Sequence, residues 1–160
     1  MMQRHPQSRP PPLVTKLDAR IIRHDAAYGL STLFFGDGEL RVPLIAAPID
    51  SGVRVTIDAR DVSIALSRPM DVSITNRIPG AIVAIEPLAP PYVRVVFDLG
   101  TTSLIALVTT ESVERLGLEV GLRAWAMIKT VAIGQVAIAA AATPQPRHWR
   151  GLDRPDREKP

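Results

Sequence analysis

The chain has 160 residues and a mass of 17.4 kDa, with 46% hydrophobic, 22% charged and only 4% aromatic residues, and no cysteine. That supplies a core for one ordinary domain or two small ones, and it excludes disulfides, thiolate catalysis and cysteine metal sites. The formal charge of +3 belongs to the ends: residues 1–16 carry +3 and residues 143–160 carry +2, leaving −2 over 17–142, so the nucleic-acid reading that a pI of about 9.8 invites loses its support.

The opening residues, Met1 to Pro12, place prolines where a signal peptide needs an apolar segment, and no apolar run reaches the roughly 18 residues of a membrane span. A cytoplasmic protein is expected. The ends hold eight of the 15 prolines, and residues 1–14 and 139–160 are predicted to be disordered tails. Between them lie short apolar runs rich in Val and Ile, cut by turn signals. Leu17–Arg23, Leu30–Phe35, Leu40–Leu44 and Val53–Leu66 come first, with turns at Gly36-Asp37-Gly38 and Asp50-Ser51-Gly52. Ala81–Ile85, Val93–Leu99, Leu104–Val108 and Leu122–Ile138 follow, with turns at Pro87–Pro91 and Gly100-Thr101-Thr102. One segment alone has helical punctuation. Thr110–Leu116 has a threonine N-cap, Glu111 and Glu114 near its start, and Gly117 as its stop. Short strands with Gly/Pro turns predict an all-β chain built of small barrels.

An internal repeat supports two of them. Gly52–Ile64 aligns without gaps to Gly121–Ile133, which puts Arg60 opposite Lys129 and Asp61 opposite Thr130. The reading is two related OB-like barrels in tandem, at 15–68 and 69–138, with one short helix in the second. Strand alternation makes one face of the first copy wet: Arg54, Thr56, Asp58 and Arg60. The matching face of the second copy, Arg123, Trp125, Met127, Lys129, Val131 and Ile133, is largely apolar. A strand apolar on both sides is covered on both sides, so Lys129 is expected in an interface, where it either faces a carboxylate such as Glu111 or Glu114, faces a bound anion, or snorkels to the rim.

Hydroxyl groups flank that lysine in the sequence. Ser73 and Thr75 share a face of an extended segment, Asn76 follows, Thr109 and Ser112 flank the first helical turn, and Thr130 adjoins Lys129. Enzyme readings find little. His5, His24 and His148 have no metal-ligand spacing, no carboxylate cluster suggests a metal, and neither a G-x-S-x-G elbow nor a G-x-x-x-x-G-K-[ST] loop occurs. His24-Asp25 is expected to be a surface turn. An OB-type nucleic-acid surface wants exposed aromatics beside basic residues, and the folded region offers few.

Ser73-Ile74-Thr75-Asn76 with Pro79-Gly80, Thr109-Thr110-Glu111-Ser112 with Leu116-Gly117-Leu118, and Ile128-Lys129-Thr130-Val131 together resemble the Mop (molbindin) domain. Upstream, Leu17-Asp18-Ala19-Arg20, His24-Asp25, Tyr28-Gly29-Leu30 and Ala59-Arg60-Asp61-Val62-Ser63 are similar to the segment after the ATPase domain of molybdate importer ATP-binding subunits. The resemblance spans about 17–136. It implies OB-like TOBE/Mop barrels and a molybdate or tungstate ligand held by Ser73, Thr75, Asn76, Thr109, Ser112, Lys129 and Thr130. No cofactor, no directly ligated metal and no catalytic residue is implied. The implied partners are further copies of the chain (dimer or trimer) and the importer's ATPase and membrane subunits, with no nucleic acid. The family often has arginine where this chain has Thr75. With Asp61 aligned to Thr130, the first barrel is expected to hold a degraded anion site or none.

Overall fold

A computed structural model describes residues 13–139. The predicted tails fall almost wholly outside the described residues. Of the few that are described, Val14 opens the first strand.

Ten strands and one α-helix follow in chain order: β1 (Val14–Asp25), β2 (Leu30–Phe34), β3 (Glu39–Pro43), β4 (Gly52–Asp58), β5 (Val62–Ala65), β6 (Asn76–Pro87), β7 (Tyr92–Asp98), β8 (Ser103–Thr109), α1 (Thr110–Leu116), β9 (Arg123–Ile128) and β10 (Gln135–Ile138). Two 3₁₀ turns, Ala59–Asp61 and Thr130–Ala132, follow β4 and β9. The helix has the predicted limits. Thr109 Oγ1 accepts from the Ser112 N–H at 3.1 Å, and Gly117 ends the helix in the left-handed region at φ 65°.

The strands form two five-stranded antiparallel sheets, ordered β10-β4-β1-β2-β3 and β5-β9-β6-β7-β8, the tandem OB-like arrangement expected. The sheets do not follow the two halves of the sequence. Strand β5, from the first half, pairs with β9, with Val62 opposite Ile128. Strand β10, from the second half, pairs with β4, with Val136 opposite Val55. Each sheet therefore takes its fifth strand from the other half. The inward positions of both sheets (Ile21, Leu33, Leu40, Val53 and Val55 with Ile82, Phe97, Leu104, Ala126 and Ile128) merge into one continuous apolar core.

The halves are related by an approximate two-fold symmetry visible in details. β1 carries an irregularity between Ile21 and Arg23, and β6 carries one between Ile82 and Ala84. The Arg41 N–H donates to Asn76 Oδ1 at 2.7 Å, and the Ile105 N–H donates to Thr15 Oγ1 at 3.1 Å. A residue at the start of each long strand thus receives a backbone N–H from the other half. The 3₁₀ turns match as well, with Asp58 as the N-cap of one and Lys129 as the N-cap of the other.

That match corrects the repeat. The gapless alignment set Arg60 against Lys129, whereas the structure sets Asp58 there and Ala59 against Thr130. A slip of two residues keeps every side chain on its face, so periodicity could not reveal it. The long run Leu122–Ile138 is also not one strand. It breaks after Ile128, where the Ala132 N–H turns back to the Lys129 carbonyl at 3.0 Å. Val131 is consequently 84% exposed while Ile133 is buried, although alternation had put both on one face.

Candidate functional site

The seven residues singled out in the sequence fall into two groups. The first group lies where β6 begins and β9 ends. Asn76 and Ile128 are paired residues of adjacent strands, which brings the 73–76 segment beside Lys129 and Thr130. Asn76 is buried and fully used: its Oδ1 accepts from the Arg41 N–H, and its Nδ2 donates to the Arg41 carbonyl at 2.9 Å and to Thr130 Oγ1 at 3.4 Å. It is therefore a brace between β6 and β3 as well as a member of the group. Ser73 and Thr75 do not lie on a strand as expected. They precede β6, Ser73 in a bend, and both are exposed.

Of the alternatives for Lys129, the structure shows the lysine at the rim rather than under cover. It is exposed, and it has no ion pair or hydrogen bond among the described residues, with Glu111, Glu114 or any other carboxylate. The apolar face that was to bury it is covered in part by its own chain: the Arg68 guanidinium lies 5.9 Å from the centre of the Trp125 ring, and Trp125 and Met127 are half-buried. Lys129 lines a cavity of about 210 Å³ together with Arg60, Asp61, Ser63, Ile74, Met127 and Ala132. β5 and β9 contribute Ser63 and Met127, and the 3₁₀ turns beside them contribute Arg60, Asp61 and Ala132, brought together because Val62 is paired with Ile128.

The second group is Thr109 and Ser112, at the junction of β8 and α1. Thr109 Oγ1 donates to Ser112 Oγ at 3.1 Å while accepting from the Ser112 N–H. The Ser112 hydroxyl hydrogen is thereby left free to donate outward. Thr109 borders a more apolar groove of about 470 Å³, lined also by Leu13, Arg60, Leu88, Tyr92, Leu107 and Val108. Among the described residues no hydrogen bond joins the two groups.

Sequence reasoning missed the bridge between them. Arg60, assigned to a wet face, lines both cavities. Its Nε and Nη2 donate to the Asp58 carboxylate at 3.2 and 3.0 Å, and its backbone N–H donates to Asp58 Oδ1 at 2.9 Å. These bonds from Arg60 hold the Asp58 carboxyl below the usual carboxylate range, and Asp58 in turn raises the Arg60 guanidinium. The available signal was Asp58-Ala59-Arg60-Asp61 itself, an acid capping its own turn.

His24 is a structural residue. One ring nitrogen meets Ser31 Oγ at 2.8 Å and the other the Ala47 carbonyl at 2.7 Å, while Ser31 Oγ accepts from the Ile45 N–H at 3.0 Å. A carbonyl only accepts, so Nε2 donates to Ala47. This network pins the chain after β3, where the two-fold symmetry puts Ile45 and Pro48 in the places of Thr109 and Ser112. The first half has Asp58 for Lys129, Ala59 for Thr130, Thr15 for Asn76, Ile45 for Thr109 and Pro48 for Ser112. Its only polar uncharged counterpart among these, Thr15, is engaged by the Ile105 N–H.

Residues 72–143, which hold the second half's strands and helix, match the TOBE domain. The chain is similar to molybdenum import ATP-binding proteins named ModC. It is 40% identical to that of Mesorhizobium japonicum over 124 residues, which is 78% of this chain and 34% of the relative. It is 37% identical to that of Aromatoleum aromaticum over 117 residues, 73% of this chain and 31% of the relative. The chain thus spans about a third of the length of these relatives. The fold also matches a crystal structure of the cytoplasmic molybdate-binding protein ModG with molybdate bound, at a TM-score of 0.67 and 19% identity, covering 78% of this chain and 95% of that one.

Proposed function

We propose that this chain is a molybdate- or tungstate-binding regulatory module, the carboxy-terminal region of a molybdate importer's ATP-binding subunit. The module works on the cytoplasmic side of the membrane, binds without catalysing, and uses no cofactor. The observation that carries the reading is the unpaired Lys129 lining a cavity that Ile74, between Ser73 and Thr75, also lines. Molybdate is a tetrahedral dianion with no proton at neutral pH, so it seeks donors and a cation. Phosphate usually keeps a proton and needs an acceptor as well. Sulfate, fully deprotonated and smaller, is the control that separates size from protonation. Asp61 is the one carboxylate lining the cavity, and it opposes any dianion.

The donors are split between two groups, so a second copy of the chain completes the site. Thr109 and Ser112 of one copy would meet Lys129, Thr130 and the 73–76 segment of the other. Binding then stabilises one assembly over another, which is how occupancy would be signalled. The first half has lost its equivalents of these donors, so one such set is expected per chain.

The test is thermal melting with millimolar molybdate, tungstate, sulfate and phosphate, on the native sequence and on Lys129→Ala, with molecular mass measured by light scattering in each condition. Ligand at about 100 times its dissociation constant adds roughly 2.7 kcal/mol, several degrees for a chain of this size. A shift with molybdate or tungstate that vanishes in the variant supports the reading. A cooperative melt that no anion moves refutes it. That outcome would leave a ligand-free TOBE module whose task is dimerisation, a reading that Thr75 in the place of arginine favours.

A further inference from the structure

We propose that Arg60 is the second cation of the oxyanion site, supplying from the first half of the chain the charge that Thr75 does not. The assignment rests on the oxyanion reading above and adds a residue to it. A dianion held by a single ammonium keeps one charge uncompensated. Of the residues lining the Lys129 cavity, only Arg60 is a further cation. The exchange of β5 puts it there: β5 pairs with β9, so the turn leading into β5 is brought beside the residue that follows β9.

Arg60 is also the residue shared by the Lys129 cavity and the groove that holds Thr109. A guanidinium at that point reaches toward either donor group. Its side chain is 72% exposed, so its hydration shell is open to exchange for a ligand oxygen. Asp58 engages the Nε hydrogen and one Nη2 hydrogen. Both Nη1 hydrogens and the second Nη2 hydrogen stay available, and their planar array suits two oxygens of a tetrahedral anion. Asp58 stands where the other half has Lys129, so the first half does not build a lysine site of its own. Instead its carboxylate aligns a guanidinium for the neighbouring one, at the price of a negative charge near the ligand.

Calorimetric titration of the full chain with sodium molybdate tests this. The proteins are the native sequence, Arg60→Ala, Arg60→Lys, Asp58→Asn and Lys129→Ala, each first melted without ligand. Losing a charge-assisted bond to the anion should weaken binding about ten- to hundred-fold in Arg60→Ala. Arg60→Lys keeps the charge without the planar fork and should fall between. Asp58→Asn keeps the oxygen that caps the turn and removes the opposing charge, so it should bind as tightly as the native sequence or more tightly. A merely bracing role predicts something different: Arg60→Ala and Asp58→Asn would weaken binding together, and that result overturns the assignment. Arg60→Ala binding within about two-fold of native, in a protein whose binding Lys129→Ala abolishes, overturns it too and leaves the oxyanion site intact. If the native sequence takes up no molybdate, the oxyanion reading fails, and the role of Arg60 fails with it.

Discussion

Replacing Asn76 with alanine probes the joint between the two halves. Asn76 is 3% exposed, and its amide closes a two-bond ring with the backbone of Arg41, accepting at 2.7 Å and donating at 2.9 Å. β3 is the last strand of its sheet, so Arg41 has no further strand to turn to on that side. The variant leaves a backbone N–H and a carbonyl unmatched and opens a small void. Each orphaned group costs about 1–3 kcal/mol, the carbonyl at the lower end because a stray water serves it more readily. The sum is about 3 kcal/mol, or roughly 10 °C in melting temperature. Asn76→Asp should be worse at pH 7, because a carboxylate cannot donate to the Arg41 carbonyl. Thr15→Val deletes the symmetry-related acceptor of the Ile105 N–H while preserving shape, and should cost about 1–2 kcal/mol. Urea unfolding at pH 7, with the slope compared between variants, gives these values directly. A loss under about 0.5 kcal/mol in Asn76→Ala, at unchanged slope, would refute the claim that this side chain joins the halves.

Three further outcomes are expected. Gly80→Ala would set its Cβ 2.8 Å from Leu99 Cδ2 and 2.9 Å from the Asp98 carbonyl, so chemical denaturation should register a loss of about 1–3 kcal/mol. Ser31→Ala orphans the Ile45 N–H and His24 Nδ1 together, and should lower stability by about 1–3 kcal/mol in the same assay. The Asp58 carboxyl is lowered in the folded chain, so its stabilising contribution is complete above the ordinary aspartate value of about 3.9 and fades as pH falls through its lower folded value. Melting temperatures from pH 7 to pH 3 should therefore drop slightly less in Asp58→Asn than in the native sequence, and an identical acid limb would contradict this.

What could be read from the sequence was local. The limits of α1 rest on Thr109, Glu111 and Gly117, each acting within one turn of its own position, and the structure reproduces them. The core positions of β1, β4 and β7 follow from period-two alternation. What depended on distant partners could not be read. No residue of Val62–Ala65 announces that it pairs with β9 rather than with its own half, and none of Gln135–Ile138 announces β4. Likewise the alternatives for Lys129, under cover or at the rim, could not be decided while Val131 and Ile133 extended an apolar face on paper. The turn at Thr130–Ala132 ends that face, and the lysine stands in solvent. Arg60 was overlooked because strand alternation put it on a wet face, while the two cavities it lines are formed with residues of β8 and β9 distant in the sequence.

The crossing of β5 and β10 also sets a timetable for synthesis. As the chain is made, β1 to β4 emerge first, yet the strand that covers the outer side of β4 is the last one described, β10. Strand β5 is made early and waits, unpaired, until β9 has followed. Neither sheet can be finished on the ribosome before nearly all of residues 13–139 has appeared. Both are then completed by the same short stretch of polypeptide, from Arg123 to Ile138. A chain interrupted anywhere before that stretch carries two open sheets, with β5 unpaired and one edge of β4 and of β6 bare.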